Sequence, residues 1–201
     1  MVTRFFAWLR QDLRATFSLV FLLALGLLAV CAPLIAPYPV TAQDVDNSLA
    51  GPSMAHWLGT DDLGRDVFSR MVHGGAATLY ASGLAVGIAV LLGMPVGLLA
   101  GYLGGWVDES ISRFIDALLS FPSIVLAIAV TGALGIGLTN GMIAVGIVFA
   151  PQLARLVRAR ALVVRQELYV DASRCFGAST ARILWRHVLP NTVQPVIVQV
   201  T

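Results

Sequence analysis

Tyr169-Val-Asp-Ala-Ser-Arg-Cys-Phe-Gly-Ala-Ser-Thr-Ala-Arg-Ile-Leu-Trp-Arg-His-Val-Leu-Pro-Asn191 is a polar, arginine-bearing stretch set between apolar segments. Leu162, Gln166, Val170 and Arg174 follow one another four residues apart, which predicts a helix running into it. Gly177 is placed to break that helix. Ser179 can cap a second one with its hydroxyl, and Pro190 is expected to end it. The stretch therefore reads as a helix–Gly–helix hinge. It is too polar to span a bilayer and too patterned to be a linker, and it suggests a surface on which a partner docks.

Composition sets the surroundings. Of 201 residues, 58% are hydrophobic and only 12% charged, with a mean hydropathy of +0.84. Soluble domains carry roughly 25% charged residues, so this is a membrane protein and the fold class is all-α and polytopic. All 13 basic residues are arginines, and the net charge of +2 gives no footing for nucleic acid. Cys31 lies in the first apolar run and Cys175 in the hinge, and no disulfide between them is expected.

Working outward from the hinge, residues 1–16 form an amphipathic lead-in at the membrane surface, with Arg4, Arg10 and Arg14 among Phe5, Phe6, Trp8 and Leu9. Residues 17–36 are the first expected span. Residues 37–76 make a polar external loop in which Thr60 to His73 is predicted as a short helix. Asp61 and Asp62 would stand in its first turn, Arg70 and His73 in its last, with Leu63, Val67 and Met71 as its stripe and Gly74-Gly75 as its end. Residues 77–103 are the second span, with Pro95 as a kink. Gly83 and Gly87, then Gly93, Gly97 and Gly101, recur every four residues, a ribbon on which another helix can lie close. A polar segment follows, in which Glu109 and Arg113 have the spacing of a helical ion pair. Residues 117–134, interrupted by Pro122, are the third span. Residues 135–140 are a tight turn, 141–157 the fourth span, and 158–190 the hinge. Residues 192–201 read as the start of a fifth span, too short to cross, so the sequence is expected to be a fragment of a longer protein.

With the N-terminus inside, 11 of the 13 arginines lie on inner segments, leaving only Arg65 and Arg70 outside. The positive-inside rule thus puts the hinge in the cytoplasm. The spans carry no Asp, Glu, Lys, Arg or His over 17–36, 77–103, 117–134 and 141–154, which argues against a proton-driven carrier. His56, His73 and His187 are scattered and do not pair at metal-ligand spacing, and His187 is expected to face the docking surface or solvent. Asp61, Asp62 and Asp66 lack the alternating ligand pattern of a calcium loop. A Walker phosphate loop is absent, so no ATP site is expected in this chain.

Two stretches resemble a known family. Asp171-Ala172-Ser173, Gly177 and Leu189-Pro190 fall at the positions of the Glu-Ala-Ala…Gly…Leu-Pro signature of ABC importer membrane subunits, with Asp171 for Glu and Ser173 for the second Ala. The external His56-Trp57-Leu58-Gly59-Thr60-Asp61-Asp62-Leu63-Gly64-Arg65-Asp66-Val67-Phe68-Ser69-Arg70 resembles the dipeptide, oligopeptide and nickel branch, specifically its second, short-loop permease. The resemblance implies a type I transmembrane-domain fold of six spans in the plasma (inner) membrane. It implies a pathway formed with a homologous permease subunit, two ATPase subunits that bind ATP and Mg below, and a substrate-binding protein outside. Small peptides are the implied cargo, with nickel or other small cargo as the alternative. An ATP-independent channel or structural protein is the reading from a different class.

In this reading Tyr169, Asp171, Ala172, Ser173, Arg174, Gly177, Ala178, Ser179, Arg182, Leu189 and Pro190 couple to the ATPase. Gly59, Thr60, Asp61, Asp62, Gly64, Arg65 and Asp66 form the external motif. Substrate-binding residues are not legible, and neither a metal site nor a catalytic site is expected.

Overall fold

The computed structural model describes residues 13–200. The amphipathic lead-in therefore lies largely outside the described residues, as does Thr201. Among the described residues the secondary structure is helical, apart from one isolated antiparallel bridge between Thr60 and Asp66. The helices are α1 (Leu13–Val30), α2 (Ala32–Ile35), α3 (Val67–Leu103), α4 (Gly105–Ser120), α5 (Ser123–Leu134), α6 (Leu138–Val164), α7 (Leu168–Cys175), α8 (Thr180–Ile183) and α9 (Leu189–Val200). A 3₁₀ turn at Val45–Asn47 and a π turn at Leu184–Val188 complete the set. The chain divides into two compact units, residues 1–80 and 81–201.

Two helices, α3 and α6, are each long and apolar enough to cross a membrane alone. α4 and α5 meet the same test only as a pair, because the chain bends by 93° between them, at the Phe121-Pro122 break. Proline restricts the residue before it to extended conformations, so Pro122 stops α4 one residue short of it. Residues 117–134 thus do not form one straight helix. α1 supplies a shorter apolar segment, Thr16–Val30.

In the first unit the helix expected from Thr60 to His73 forms only over its second half. Residues 60–66 are a looped scaffold, and helix begins only at Val67. Asp61 accepts from the backbone N–H groups of Leu63 and Arg65 at 2.9 Å, so it stabilises a turn instead of a helix start. Asp66 is the residue that starts α3: its Oδ2 accepts from the Ser69 N–H at 2.7 Å. Gly74-Gly75 does not end the helix, which runs on to Leu103. Two glycines cost about 1 kcal/mol each, less than leaving their carbonyls unpaired among apolar neighbours.

In the second unit α6 is the central element, with Ala144, Val148, Leu153, Ala154, Val157 and Ala161 all buried. The C-terminal half of α3 lies against it through Gly93, Gly97 and Gly101. A Cβ on Gly93 would stand 2.6 Å from the carbonyl oxygen of Ala150, and one on Gly101 would stand 2.6 Å from that of Arg158. The small-residue ribbon is therefore real over these three positions, whereas Gly83 and Gly87 face open space in this chain. On α9, Val196 packs with Leu153 and Val157, and buried Thr192 donates to the Leu189 carbonyl at 2.9 Å.

Two cross-helix ion pairs tie α4 to the foot of α6: Asp108 takes both Nε and Nη2 of Arg158, and Asp116 pairs with Arg155. They place the polar segment after α3 and the foot of α6 on one side of the unit. Glu109 and Arg113 form the expected exposed pair at 3.7 Å.

Candidate functional site: the hinge after α6

The predicted continuous helix through Leu162 and Arg174 is broken. α6 stops at Val164, Arg165–Glu167 form a turn, and α7 restarts at Leu168. Arg165 turns its guanidinium to the Tyr102 carbonyl at 3.2 Å, which holds the chain reversal against the end of α3. α7 then closes at Gly177, whose φ is +75°. The Ala178 N–H reaches back across it to the Ser173 carbonyl at 3.0 Å, satisfying the helix end. Ser179 caps α8 by accepting from the Arg182 N–H at 3.4 Å, as its position predicted.

Pro190 does not end a helix. It stands at the second residue of α9, inside an unbroken helical run from Thr180 to Val200 and directly after a π turn whose wider spacing accommodates it. The connection into α9 is the π turn at 184–188. Ile183 and Val188 are five apart, a separation that an α-helix would rotate onto different faces but a π turn keeps together. Both are buried, at 1% and 0% exposure.

These two join Val170 of α7 in one cluster with Tyr102, Ala161 and Val164, and Ala178 packs on its edge. Each of the three aliphatic side chains contributes roughly 1.5–3 kcal/mol by leaving water. The hinge is thus an anchored platform rather than a free loop.

Its outer side is different. Leu168 is 85% exposed and Phe176 is 91% exposed, with Asp171, Ala172 and Arg182 also facing outward. Asp171 pairs with Arg174 at 2.9 Å, both largely exposed, and the Arg174 guanidinium lies 5.3 Å from the centroid of the Tyr102 ring. An exposed pair of this kind stabilises by only about 0–1 kcal/mol, so Asp171 is available to exchange its partner.

His187 was missed as a structural element. It does not face solvent freely but packs on Tyr169, ring centroids 5.8 Å apart, with its Nε2 3.3 Å from the Ser173 hydroxyl. Its signal in the sequence is the fourteen-residue separation from Ser173, which means nothing until Gly177 folds the two arms together.

The other predicted motif forms a closed scaffold in the first unit. Thr60 accepts from the Ala50 N–H at 2.9 Å and donates to the Asn47 carbonyl. Gly59 receives the Val67 N–H at 3.1 Å. The Asp62 carbonyl accepts from the Ser48 hydroxyl at 2.7 Å, and Gly64 has φ +71°. Asp61 also holds Arg65 Nε at 2.8 Å and pairs with Arg70. Burial pushes the Asp61 carboxyl up, but the backbone donors of Arg65 and Leu63, with the Arg65 guanidinium, outweigh it and hold the pKa at about 2. Asp66 is held low in the same way by Ser69 and by His56, whose Nδ1 is 3.0 Å away. Arg65 reaches Asp62 only at 3.9 Å.

Long apolar helices packed through glycines, with a polar platform anchored at their foot, define an integral membrane protein. Residues 93–201 match the family described as the binding-protein-dependent transport system inner membrane component, and residues 3–52 match the N-terminal TM domain of oligopeptide transport permease C. The chain belongs to this family of inner-membrane transport components.

It is similar to the dipeptide transport system permease protein DppC of Alkalihalophilus pseudofirmus, 41% identical over 98% of this chain and 64% of that protein. It is also similar to the glutathione transport system permease protein GsiD of Shigella flexneri, 47% identical over 94% of this chain and 62% of that protein. Against the same-named protein of Escherichia coli the identity is 44% over the same shares. The chain thus spans a little under two thirds of the length of these relatives.

Proposed function

We propose that this chain is the membrane-spanning permease subunit of an ATP-driven importer of small peptides. It forms the translocation pathway with a homologous permease subunit and receives cargo from a substrate-binding protein outside. The relatives named for dipeptide and glutathione favour peptides over nickel or other small cargo. ATP and Mg belong to two ATPase subunits, which dock on the hinge from the cytoplasm. Closure of the ATPase pair displaces α7 and α8, and the packed helices rock as bodies.

The observation that carries this reading is the two-sidedness of the hinge. Val170, Ile183 and Val188 fix it to α3 and α6 while Leu168 and Phe176 stand exposed outside, beside Asp171, which is held only by the exposed Arg174. An ordinary loop needs no such anchor.

Purification of the tagged full-length protein from its own membranes tests it. An ATPase and a second permease should co-purify, and the complex should hydrolyse ATP when the peptide-loaded binding protein is added. Isolation of the chain without an ATPase contradicts the proposal. Orientation is read separately, in a background without Cys31 and Cys175. A cysteine at Ser48 should be labelled from outside intact cells and one at Ser179 protected; external labelling of Ser179 would overturn the cytoplasmic hinge.

A further inference from the structure

Resting on that reading of the hinge, we propose that Tyr169, Ser173, His187 and Asn191 form a clasp that makes α7 and the first turn of α9 move as one body. The four are positioning residues for coupling.

The hydrogen bonds fix who donates. The Ser173 hydroxyl has one hydrogen, and at 2.7 Å it goes to the Tyr169 carbonyl. Its oxygen must then accept from His187, which places a hydrogen on His187 Nε2 across the 3.3 Å contact. Asn191 Nδ2 has two hydrogens and uses both: one to the His187 carbonyl at 2.7 Å, one to the Tyr169 hydroxyl at 3.2 Å. The Tyr169 ring closes the circle against the His187 imidazole, centroids 5.8 Å apart.

Each arm of the hinge thus holds the other by two polar links and one ring contact. None of them passes through the chain at Gly177. A glycine at φ +75° with open space around it leaves the bend between the arms free of side-chain contacts. The apolar cluster resists separation but is non-directional; hydrogen bonds with fixed donors resist rotation as well. A push on α7 therefore reaches α9 without being absorbed at Gly177. Ser173 stands where the signature has alanine, and alanine cannot make the His187 bond. This chain's departure from the pattern supplies a link of its clasp.

The test has two arms. In the full-length protein with Cys31→Ser, spin labels on native Cys175 and on Gln194→Cys report the distance between α7 and α9. The distribution should be narrow with the clasp intact and broaden in His187→Ala. His187→Gln, whose amide can still donate to Ser173, should restore most of the narrowness. In the reconstituted complex, peptide transported per ATP hydrolysed should fall about fivefold or more in His187→Ala, and less in Ser173→Ala. Membrane insertion should be unchanged. Unchanged distances in His187→Ala overturn the clasp. Broadened distances with an unchanged transport ratio overturn its role in coupling. If no ATPase assembles, the proposed function fails, while the distance arm still decides whether the clasp exists.

Discussion

The loop scaffold of residues 44–69 and the hinge of residues 165–191 are built from the same parts and used in opposite ways. Each has a left-handed glycine, an Asp–Arg pairing and a small hydroxyl residue. In the scaffold these groups are satisfied inward: Asp61 alone receives two backbone N–H groups and two guanidinia. Gly64 is pressed against the Asp44 backbone. In the hinge, Asp171 has one exposed partner, and Gly177 has no atom within 4 Å of where its Cβ would stand. A polar segment that spends its donors on itself is a rigid fixture. One that anchors by apolar contacts and leaves its charges outward can bind something else.

The glycines break this comparison most sharply. Gly64→Ala would drive a Cβ into the Asp44 carbonyl and keep a positive φ, so the scaffold should lose about 3 kcal/mol or more. Thermal unfolding of the purified protein, with proteolysis mapped to residues 44–66, would show it. If the substitution is tolerated, the scaffold is not closed.

Ile183→Ala removes a buried anchor from the hinge and should cost about 2–4 kcal/mol, seen as earlier proteolysis between 165 and 191. Resistance equal to the native protein would mean that the hinge does not depend on its apolar cluster.

Gly177→Ala meets no atoms and carries only the conformational cost, about 1 kcal/mol. It should insert normally and shift the melting temperature by a few degrees at most; a collapse as large as that of Gly64→Ala would erase the distinction.

The smallest effect is with acid. Asp61 has its pKa lowered from 3.8 to about 2. Its contribution is therefore complete above the ordinary carboxylate value and is lost as pH falls from about 4 towards 2. Protection of the Leu63 and Arg65 amides, expressed relative to intrinsic exchange, should hold down to pH ~4 and then decline. Asp61→Asn should abolish that dependence. A decline already complete at pH 5 would mean that the carboxylate is not held this way.

The sequence was most readable where a single force decides. Apolar composition gave the helices, because nothing else satisfies a backbone among apolar neighbours. The i,i+4 glycines marked the packing of α3, but only three of the five touch α6; spacing shows that a ribbon can pack and not what it packs on. At the hinge, Gly177 and Ser179 act locally, and both behave as read.

The failures lie where two local options have similar energies. An aspartate before a polar run can start a helix or close a turn, and at Asp61 the left-handed Gly64 decided for the turn. Pro190 can end a helix or sit within one, and the π turn before it allowed the second. Pro122 marked a break without its angle. His187 was illegible because its partners are brought to it by the folded hinge.

On the proposed docking of an ATPase at the hinge, Asp171 would exchange its exposed Arg174 partner for a cation on that subunit. Asp171→Asn tests it most directly, in the full-length protein reconstituted with its ATPase. Loss of the internal pair alone costs about 0–1 kcal/mol and should leave folding and insertion intact. Loss of a desolvated interfacial pair costs ~2–5 kcal/mol. The account predicts strongly reduced transport-coupled ATP hydrolysis in Asp171→Asn, with Asp171→Glu retaining or exceeding the native rate. Native transport and native complex stability in Asp171→Asn would contradict it.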